Sequence, residues 1–187
     1  MIQDTTDADV VEYEIIDPQS ADYLLTAQGS AVAILETTSA LEAAKLFAHL
    51  YSVSREVVVR FLDGRDVLLF THQAEHMQRF CPVDETVFAE IEQIKSELIC
   101  VSDIAAPTAE LTIDIAQVWR DLGDYDDVVT KTKAFVWALC GHVEPALTIF
   151  VHGEIPLLPT LAAFYLLRSS AETVVFIDSL GQRVTVF

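Results

Sequence analysis

The sequence predicts an α/β fold made of two tandem, related strand–helix–strand–strand units that pack together as a pseudo-dimer. Three observations predict it. Short apolar runs of strand character alternate with segments of helical periodicity. The order strand–helix–strand–turn–strand occurs twice along the chain. A glycine marks the hairpin turn that closes each copy, Gly64 in the first and Gly181 in the second.

The first unit is predicted over residues 1–83. Its elements, in order, are an edge strand (10–16), a buried strand (31–35), a helix (39–51) and a hairpin (56–62 with 66–70). Alternating polar and apolar residues in the first strand are typical of a half-exposed strand or of a strand at a sheet edge. The helix has Ser39 as its expected N-cap and Glu42 three residues later, which is the pattern of a capping box.

A connecting helix and linker are predicted over residues 84–107. The apolar residues of 84–100 recur at helical spacing, and acidic residues take the opposite face. Asp84 can cap this helix, which places Val87 at its third position. Residues 102–107 are typical of a linker into the second unit.

The second unit is predicted over residues 108–187. Its elements are an edge strand (109–115), a helix (130–140), a strand (146–151), a turn (152–159), a helix (160–170) and a hairpin (173–178 with 183–187). At an offset of 115 residues, Ala31 coincides with Ala146 and Leu46 with Leu161. After two inserted residues Gly64 coincides with Gly181, so the units are expected to be copies of one structure.

The composition of the chain limits the classes of partner that it can be expected to bind. The chain has 187 residues, of which 52% are hydrophobic, and carries 29 acidic against 11 basic side chains, a net charge of −18. Such a charge argues against binding to duplex nucleic acid or to anionic membranes, which needs clustered Lys and Arg. No apolar run reaches the length of a membrane span, and the acidic N-terminus differs from a leader peptide, so a cytoplasmic protein is expected. Three widely spaced cysteines without a CxxC motif favour free thiols.

The most distinctive turn is HGEIPLLP, residues 152–159. A strand delivers His152 and Gly153, and Glu154 then leads to Pro156, which suits the first turn of a helix. Free amides at such a turn can bind an anion at the carboxyl edge of a sheet, although an ordinary strand-to-helix turn has the same pattern. The first unit has a different sequence at the corresponding position, namely Glu36, Thr37, Thr38 and Ser39.

Two further patterns concern metals. His72 and His76 match the HxxEH signature of inverted zinc proteases, with Glu154 as the remaining candidate ligand, and the alternative is a polar loop or helix cap. Four aspartates form an acidic loop that lacks the order of an EF-hand, so a solvated loop or a weak divalent site is expected. They are Asp121, Asp124, Asp126 and Asp127.

The stretch from Thr148 to Phe187 resembles the small type III CRISPR ring-nuclease family, whose members cut cyclic tetra-adenylate with manganese. The similarity covers about 40 residues: a strand, a Gly–x–x–Pro turn, a helix, a strand ending in Asp, a turn and a last strand. The matching residues are Gly153, Pro156, Asp178 and Val184. This resemblance implies a ferredoxin-like or CARF-like sheet with helices. The family's metal-binding helix carries histidines, whereas this chain has none there and only His49 in the first copy.

Three functions follow as expectations. The first is a ring-nuclease-like protein that binds a cyclic oligoadenylate or related nucleotide, with or without cleavage. Its expected contacts are Thr37, Thr38, Ser39, His152, Gly153 and Glu154. The second is a non-enzymatic acidic adaptor that binds a basic protein. The third is a zinc-dependent hydrolase built on His72 and His76. No cofactor is evident, and assembly into a homo-oligomer is left open.

Overall fold

The protein is described here by a computed structural model, which describes residues 12–20, 29–72, 85–102 and 107–187. These residues form an α/β structure with two mixed sheets and five helices. The strands are β1 (Glu14–Ile16), β2 (Ala31–Leu35), β3 (Glu56–Arg60), β4 (Asp66–Thr71), β5 (Glu85–Thr86), β6 (Thr108–Asp114), β7 (Ala146–His152), β8 (Ala171–Ile177) and β9 (Arg183–Thr185). The helices are α1 (Ala40–Val53), α2 (Phe88–Ser102), α3 (Ile115–Asp121), α4 (Val128–Cys140) and α5 (Leu157–Leu167).

The two sheets share one topology. The orders β1-β2-β3-β4 and β6-β7-β8-β9 each contain two parallel pairings followed by an antiparallel hairpin, and β5 adds to the far side of β4. β1 and β6 are edge strands, as the sequence pattern predicts. The helix after β2 and the helix after β7 are the crossovers that a parallel pairing requires.

The strand registers reproduce the internal repeat. Ala31 pairs with Glu56 in the first sheet and Ala146 with Ala171 in the second, so both partners shift by 115 residues. The hairpin pairs shift by 117, as in Arg60 with Asp66 and Ile177 with Arg183. The two inserted residues lie in β8, which has seven residues where β3 has five.

The starts of α1 and α5 are related by an offset of 117 residues, like the hairpin pairs. Ser39 precedes α1 and Pro156 precedes α5, a difference of 117 rather than the 115 that the sequence alignment placed on this helix. The reason is that β7 is two residues longer than β2, which moves the following turn and helix along the chain.

Helix α5 is buried on every side, and all eleven of its residues belong to the interior. A helix that is apolar all round belongs in the interior, and α5 contacts α1, α2, α4, β4 and β8. Its two buried hydroxyls both donate hydrogen bonds: that of Thr160 to the carbonyl oxygen of Pro156 at 3.0 Å, and that of Tyr165 to Oε1 of Glu92 at 2.7 Å. The two units therefore share one hydrophobic core, with α5 at its centre.

Helices α1 and α5 lie side by side and run in the same direction. Phe47 contacts Phe164, and one turn later Tyr51 lies near Tyr165 and under the guanidinium of Arg168. Both helices begin at the carboxyl end of a central strand, so the carboxyl edges of the two sheets lie on the same side of the molecule. Helix α1 also reaches β9 of the second sheet, and α5 reaches β4 of the first.

The two sheets differ in how they are covered. Consecutive residues of β2, β3 and β4 are buried, so the first sheet is buried on both faces. In the second sheet Val174 and Phe176 are buried toward the helices, whereas Phe150 and Val175 on the opposite face are half-exposed. Among the described residues, no helix combines the length and the apolar character needed to cross a membrane.

Several predicted boundaries are corrected. Helix α5 begins at Leu157 and not at residue 160, because Pro159 is tolerated in a first helical turn. The predicted edge strand ends at Asp114, whose side chain caps a short helix, α3, that the sequence analysis did not predict. Val87 lies before α2 and not at its third position, and Asp84 lies outside the described residues.

Candidate functional site

The predicted site residues of the second unit lie at the carboxyl edge of its sheet. His152 is the last residue of β7 and is half-buried, and its register partner on β6 is Asp114. Gly153 follows with a φ of +104°, a backbone conformation that residues with a side chain rarely adopt. Glu154 comes next, before the start of α5.

The close backbone approach expected at Gly153 is occupied by the chain itself. A Cβ at this position would lie 2.7 Å from the Cβ of Ala116 and 2.9 Å from Oδ1 of Asp114. The same Asp114 oxygen accepts a hydrogen bond from the amide of Gln117 at 3.0 Å, as the N-cap of α3. The glycine is therefore needed for packing against the β6–α3 junction, and the carboxylate of Asp114 lies close to its backbone.

Glu154 is tied to the neighbouring hairpin. Its Oε1 accepts a hydrogen bond from the hydroxyl of Ser179 at 2.6 Å. In the same turn, Oδ1 of Asp178 accepts from the amides of Leu180 and Gln182 at 2.9 and 2.7 Å. Glu154 thus joins the β7–α5 turn to the β8–β9 turn, and Asp178 holds the β8–β9 turn itself in shape.

The first unit repeats this link with different residues. Oε1 of Glu36 accepts from the amide of Leu62 at 2.6 Å, and Leu62 lies 117 residues before Ser179, at the same place in its hairpin. Of the predicted contacts, Thr37 and Ser39 are exposed and Thr38 is half-buried.

The capping box at the start of α1 is confirmed. The hydroxyl of Ser39 accepts from the amide of Glu42, and the Glu42 carboxylate accepts from the hydroxyl and the amide of Ser39. Hydrogen bonds from the side chain and backbone of Ser39 lower the pKa of Glu42. The carboxylate of Glu42, from the chain itself, therefore takes up the hydrogen-bonding groups at the start of α1.

Each hairpin turn presents one leucine to solvent. Leu62 and Leu180 are both 81% exposed, the highest value among the large hydrophobic residues of the described chain. The two turns lie on the same side of the molecule, because α1 and α5 start there and run in parallel. Arg65 of the first turn also reaches Asp127, the N-cap of α4, at 3.6 Å.

The charge around these leucines is negative. Two basic side chains of this region are engaged by acids: Arg60 makes a two-point contact with Asp66 at 2.8 Å, and Arg65 bonds Asp63 at 2.7 Å. A third, Arg183, is exposed and lies over the ring of Phe150. Hydrogen bonds from Arg65 lower the pKa of Asp63, and the bond from the Thr130 amide lowers that of Asp127. The remaining carboxylates here are those of Glu36, Asp114, Glu154 and Asp178.

The described part of the chain does not bring the predicted metal ligands together. His72 is exposed, and its Nε2 lies 2.7 Å from the carbonyl oxygen of Tyr51, whereas His76 lies outside the described residues. Within the ranges that the structure describes, no three His, Cys, Asp or Glu side chains form a group that could hold a metal ion. In the acidic loop, Asp121 accepts from Gln117 and Asp127 caps α4.

The sequence analysis missed a cavity at the opposite edge of the first sheet. As bounded by the described residues, it has a volume of about 490 Å³ and opens between the starts of β1, β2 and β3. Arg55 lines it together with Glu12 and Glu14, so its charge is mixed. No motif marks these residues, because the cavity depends on how three strand starts are placed.

Comparison of the chain with protein-family models, with curated proteins and with solved structures finds no match in any of the three.

Proposed function

We propose that this chain is a binding protein whose two hairpin turns together dock a basic protein partner. The observation that carries the proposal is the pair of leucines, Leu62 and Leu180, each 81% exposed and each beside carboxylates on the same side of the molecule. A large apolar side chain held in solvent at the tip of a fixed turn is available to enter a pocket on a partner. The surrounding acids would select a partner of positive charge.

The turns are suited to this role because they are held in place. The hydrogen bonds from the Leu62 amide to Glu36 and from the Ser179 hydroxyl to Glu154 fix each hairpin to the turn that precedes a helix. An anchor that is already ordered loses less conformational entropy on binding. The two-unit arrangement doubles the anchor, as expected if two copies of one unit were fused into a pseudo-dimer.

A cationic amphipathic peptide of Lys and Leu is a suitable probe, with affinity measured by calorimetry at low and high salt. We expect the double variant Leu62→Ser/Leu180→Ser to bind roughly tenfold more weakly or worse, since buried anchors dominate such interfaces. Leu147→Ser is the matched control, because Leu147 is 42% exposed but lies near the other end of the second sheet. Equal binding by all three proteins would contradict the proposal.

Cyclic oligoadenylate binding is the second candidate, and the paired arrangement of the units favours it. Such a ligand repeats its own chemistry around a ring, so it could contact the strand-to-helix turns of both units at once. The contacts proposed for it remain Thr37, Thr38, Ser39, His152, Gly153 and Glu154. Among the residues that the structure describes, no group of donors that could hold manganese is gathered, and α5 has no histidine. The proposal is therefore binding without cleavage.

Calorimetry with cyclic tetra-adenylate, with and without manganese, tests the second candidate. Binding without cut products supports it. Cleavage would contradict the donor argument, and an absence of binding at tens of micromolar would remove the nucleotide function. Because Leu62 and Leu180 are not among the nucleotide contacts, their serine variants are expected to leave nucleotide affinity unchanged while weakening the basic peptide.

A further inference from the structure

Strand β6 is a long sheet edge that the described chain leaves open. It has seven residues, whereas the other outermost strands, β1, β5 and β9, have three, two and three. Thr108, Ala109 and Glu110 are exposed in sequence, so neither face of this part of the strand is covered. Short edges resist pairing with another chain, and a long exposed edge is a template for it.

The backbone groups that face outward can be identified. The amide of Thr108 donates to the carbonyl oxygen of Pro145 at 2.9 Å, so Thr108 faces β7. In a strand the direction of the backbone groups alternates, and Glu110 and Thr112 therefore face β7 as well. The outward amides and carbonyls belong to Ala109, Leu111 and Ile113.

We propose that β6 pairs antiparallel with β6 of a second copy of this chain, about a two-fold axis at Leu111. In this register Leu111 makes two backbone hydrogen bonds with Leu111 of the other copy. Ala109 likewise makes two with Ile113 of the other copy. The two four-stranded sheets would join into one sheet of eight strands. A symmetric contact of this kind closes on itself as a dimer.

Charge selects this register over its neighbours. Pairing about Leu111 places Glu110 opposite Thr112 of the other copy and Asp114 opposite Thr108. Sliding one strand by two residues in one direction places Glu110 opposite Glu110 of the other copy. Sliding it by two residues in the other direction places Glu110 opposite Asp114 of the other copy. Like charges directly opposite each other destabilise a strand pair, so both alternatives are disfavoured.

The salt dependence of this contact is distinctive. Each chain carries a net charge of −18, so two copies repel each other at long range. Salt screens that repulsion, and the dimer is expected to strengthen as salt is added. Binding of a basic partner to the hairpin turns is expected to weaken under the same change, which separates the two proposals.

Sedimentation velocity of the full chain over a concentration series tests the proposal. We expect a monomer–dimer equilibrium that Ala109→Pro weakens by about tenfold or more, since it removes one intermolecular bond from each copy. The amide of Ala109 faces outward, so proline is tolerated within the folded chain. Ala109→Val retains the amide and serves as the matched control.

A second variant tests the register itself. Thr112→Glu places a carboxylate opposite Glu110 of the other copy at an exposed position, and it is expected to weaken the dimer as well. Glu110→Thr removes the charge and is expected to leave the dimer as strong or stronger. A chain that stays monomeric at high concentration and high salt, or a dimer unaffected by Ala109→Pro and Thr112→Glu, would overturn the proposal.

Discussion

The rings of Phe47 and Phe164 lie edge to face, with centroids 5.7 Å apart and planes at 71°. Each ring stands eight residues after the N-cap of its helix, Ser39 for α1 and Pro156 for α5. The two copies of the repeat therefore meet at one and the same position of their helices. This contact sets α1 beside α5 and brings the carboxyl edges of both sheets to one side.

The first prediction concerns this contact. Phe47→Leu and Phe164→Leu each remove a buried ring, and we expect each to lower the free energy of unfolding by about 1–2 kcal/mol. The double variant should lose less than the sum by roughly 0.5–1.5 kcal/mol, since edge-to-face pairs contribute that much beyond area burial. Urea unfolding measures all four proteins, and strictly additive losses would show that the rings are not coupled.

The second prediction concerns Gly153. Gly153→Ala combines an unfavourable φ with a Cβ that would lie 2.7 Å from the Cβ of Ala116. The expected loss of stability is about 2–4 kcal/mol. Gly181→Ala is the matched control, because Gly181 also has a positive φ but nothing within 4 Å of its Cβ, and about 1 kcal/mol is expected there. Thermal unfolding that shifts equally for both would refute the packing role of Gly153.

The third prediction concerns the link between α2 and α5. The buried hydroxyl of Tyr165 donates to Oε1 of Glu92 at 2.7 Å, and Lys95 bonds the same oxygen. Burial, and then the Glu92 carboxylate, raise the pKa of Tyr165 well above its usual range. We expect Tyr165→Phe to cost about 1–2 kcal/mol in denaturant unfolding. The same change at the exposed Tyr125 should cost nothing measurable, and a stable Tyr165→Phe would argue against this link.

The fourth prediction concerns the capping box of α1 and its pH dependence. Hydrogen bonds from Ser39 place the folded pKa of Glu42 below its ordinary value of 4.5. A lowered carboxylate pKa stabilises the folded state above that value, and the contribution is lost as pH falls through the folded pKa. Ser39→Ala should therefore cost about 1 kcal/mol at neutral pH and less in acid.

The control for the capping prediction is another serine of the same helix. Ser52 donates its hydroxyl to the carbonyl oxygen of Ala48, which involves no carboxylate. The stability difference between Ser52→Ala and the parent protein should stay constant with pH. If the cost of Ser39→Ala were also constant from neutral pH to pH 3, the Glu42 carboxylate would not take part in the cap.

Local patterns in the sequence predicted most of the secondary structure. Apolar runs identified β2, β3, β4 and β7, and the Ser39–Glu42 spacing identified the start of α1. The start of α5 was misplaced because Pro156 and Pro159 are also typical of a turn. Proline is tolerated in the first turn of a helix, because the amides there make no hydrogen bond within the helix. Helix α3 was missed because seven residues give too little periodicity to detect.

The candidate site was less predictable than the fold. Asp114 is 39 residues from Gly153 in sequence, and only the β6–β7 register brings the two together. The hydrogen bonds from the Leu62 amide to Glu36 and from the Ser179 hydroxyl to Glu154 also join separate turns, so no local sequence motif predicts them. The sequence analysis left two interpretations of residues 152–159 open, an anion site and an ordinary strand-to-helix turn, and it did not predict the carboxylates that gather at this edge.

The measurement that tests the central claim most directly is a nuclear magnetic resonance titration of the isotope-labelled chain with the cationic peptide. If the two hairpins act as one docking surface, the amide shifts of residues 61–65 and 178–182 should move together and saturate at the same peptide concentration. Shifts confined to one hairpin, or spread over acidic residues elsewhere without either hairpin, would contradict it.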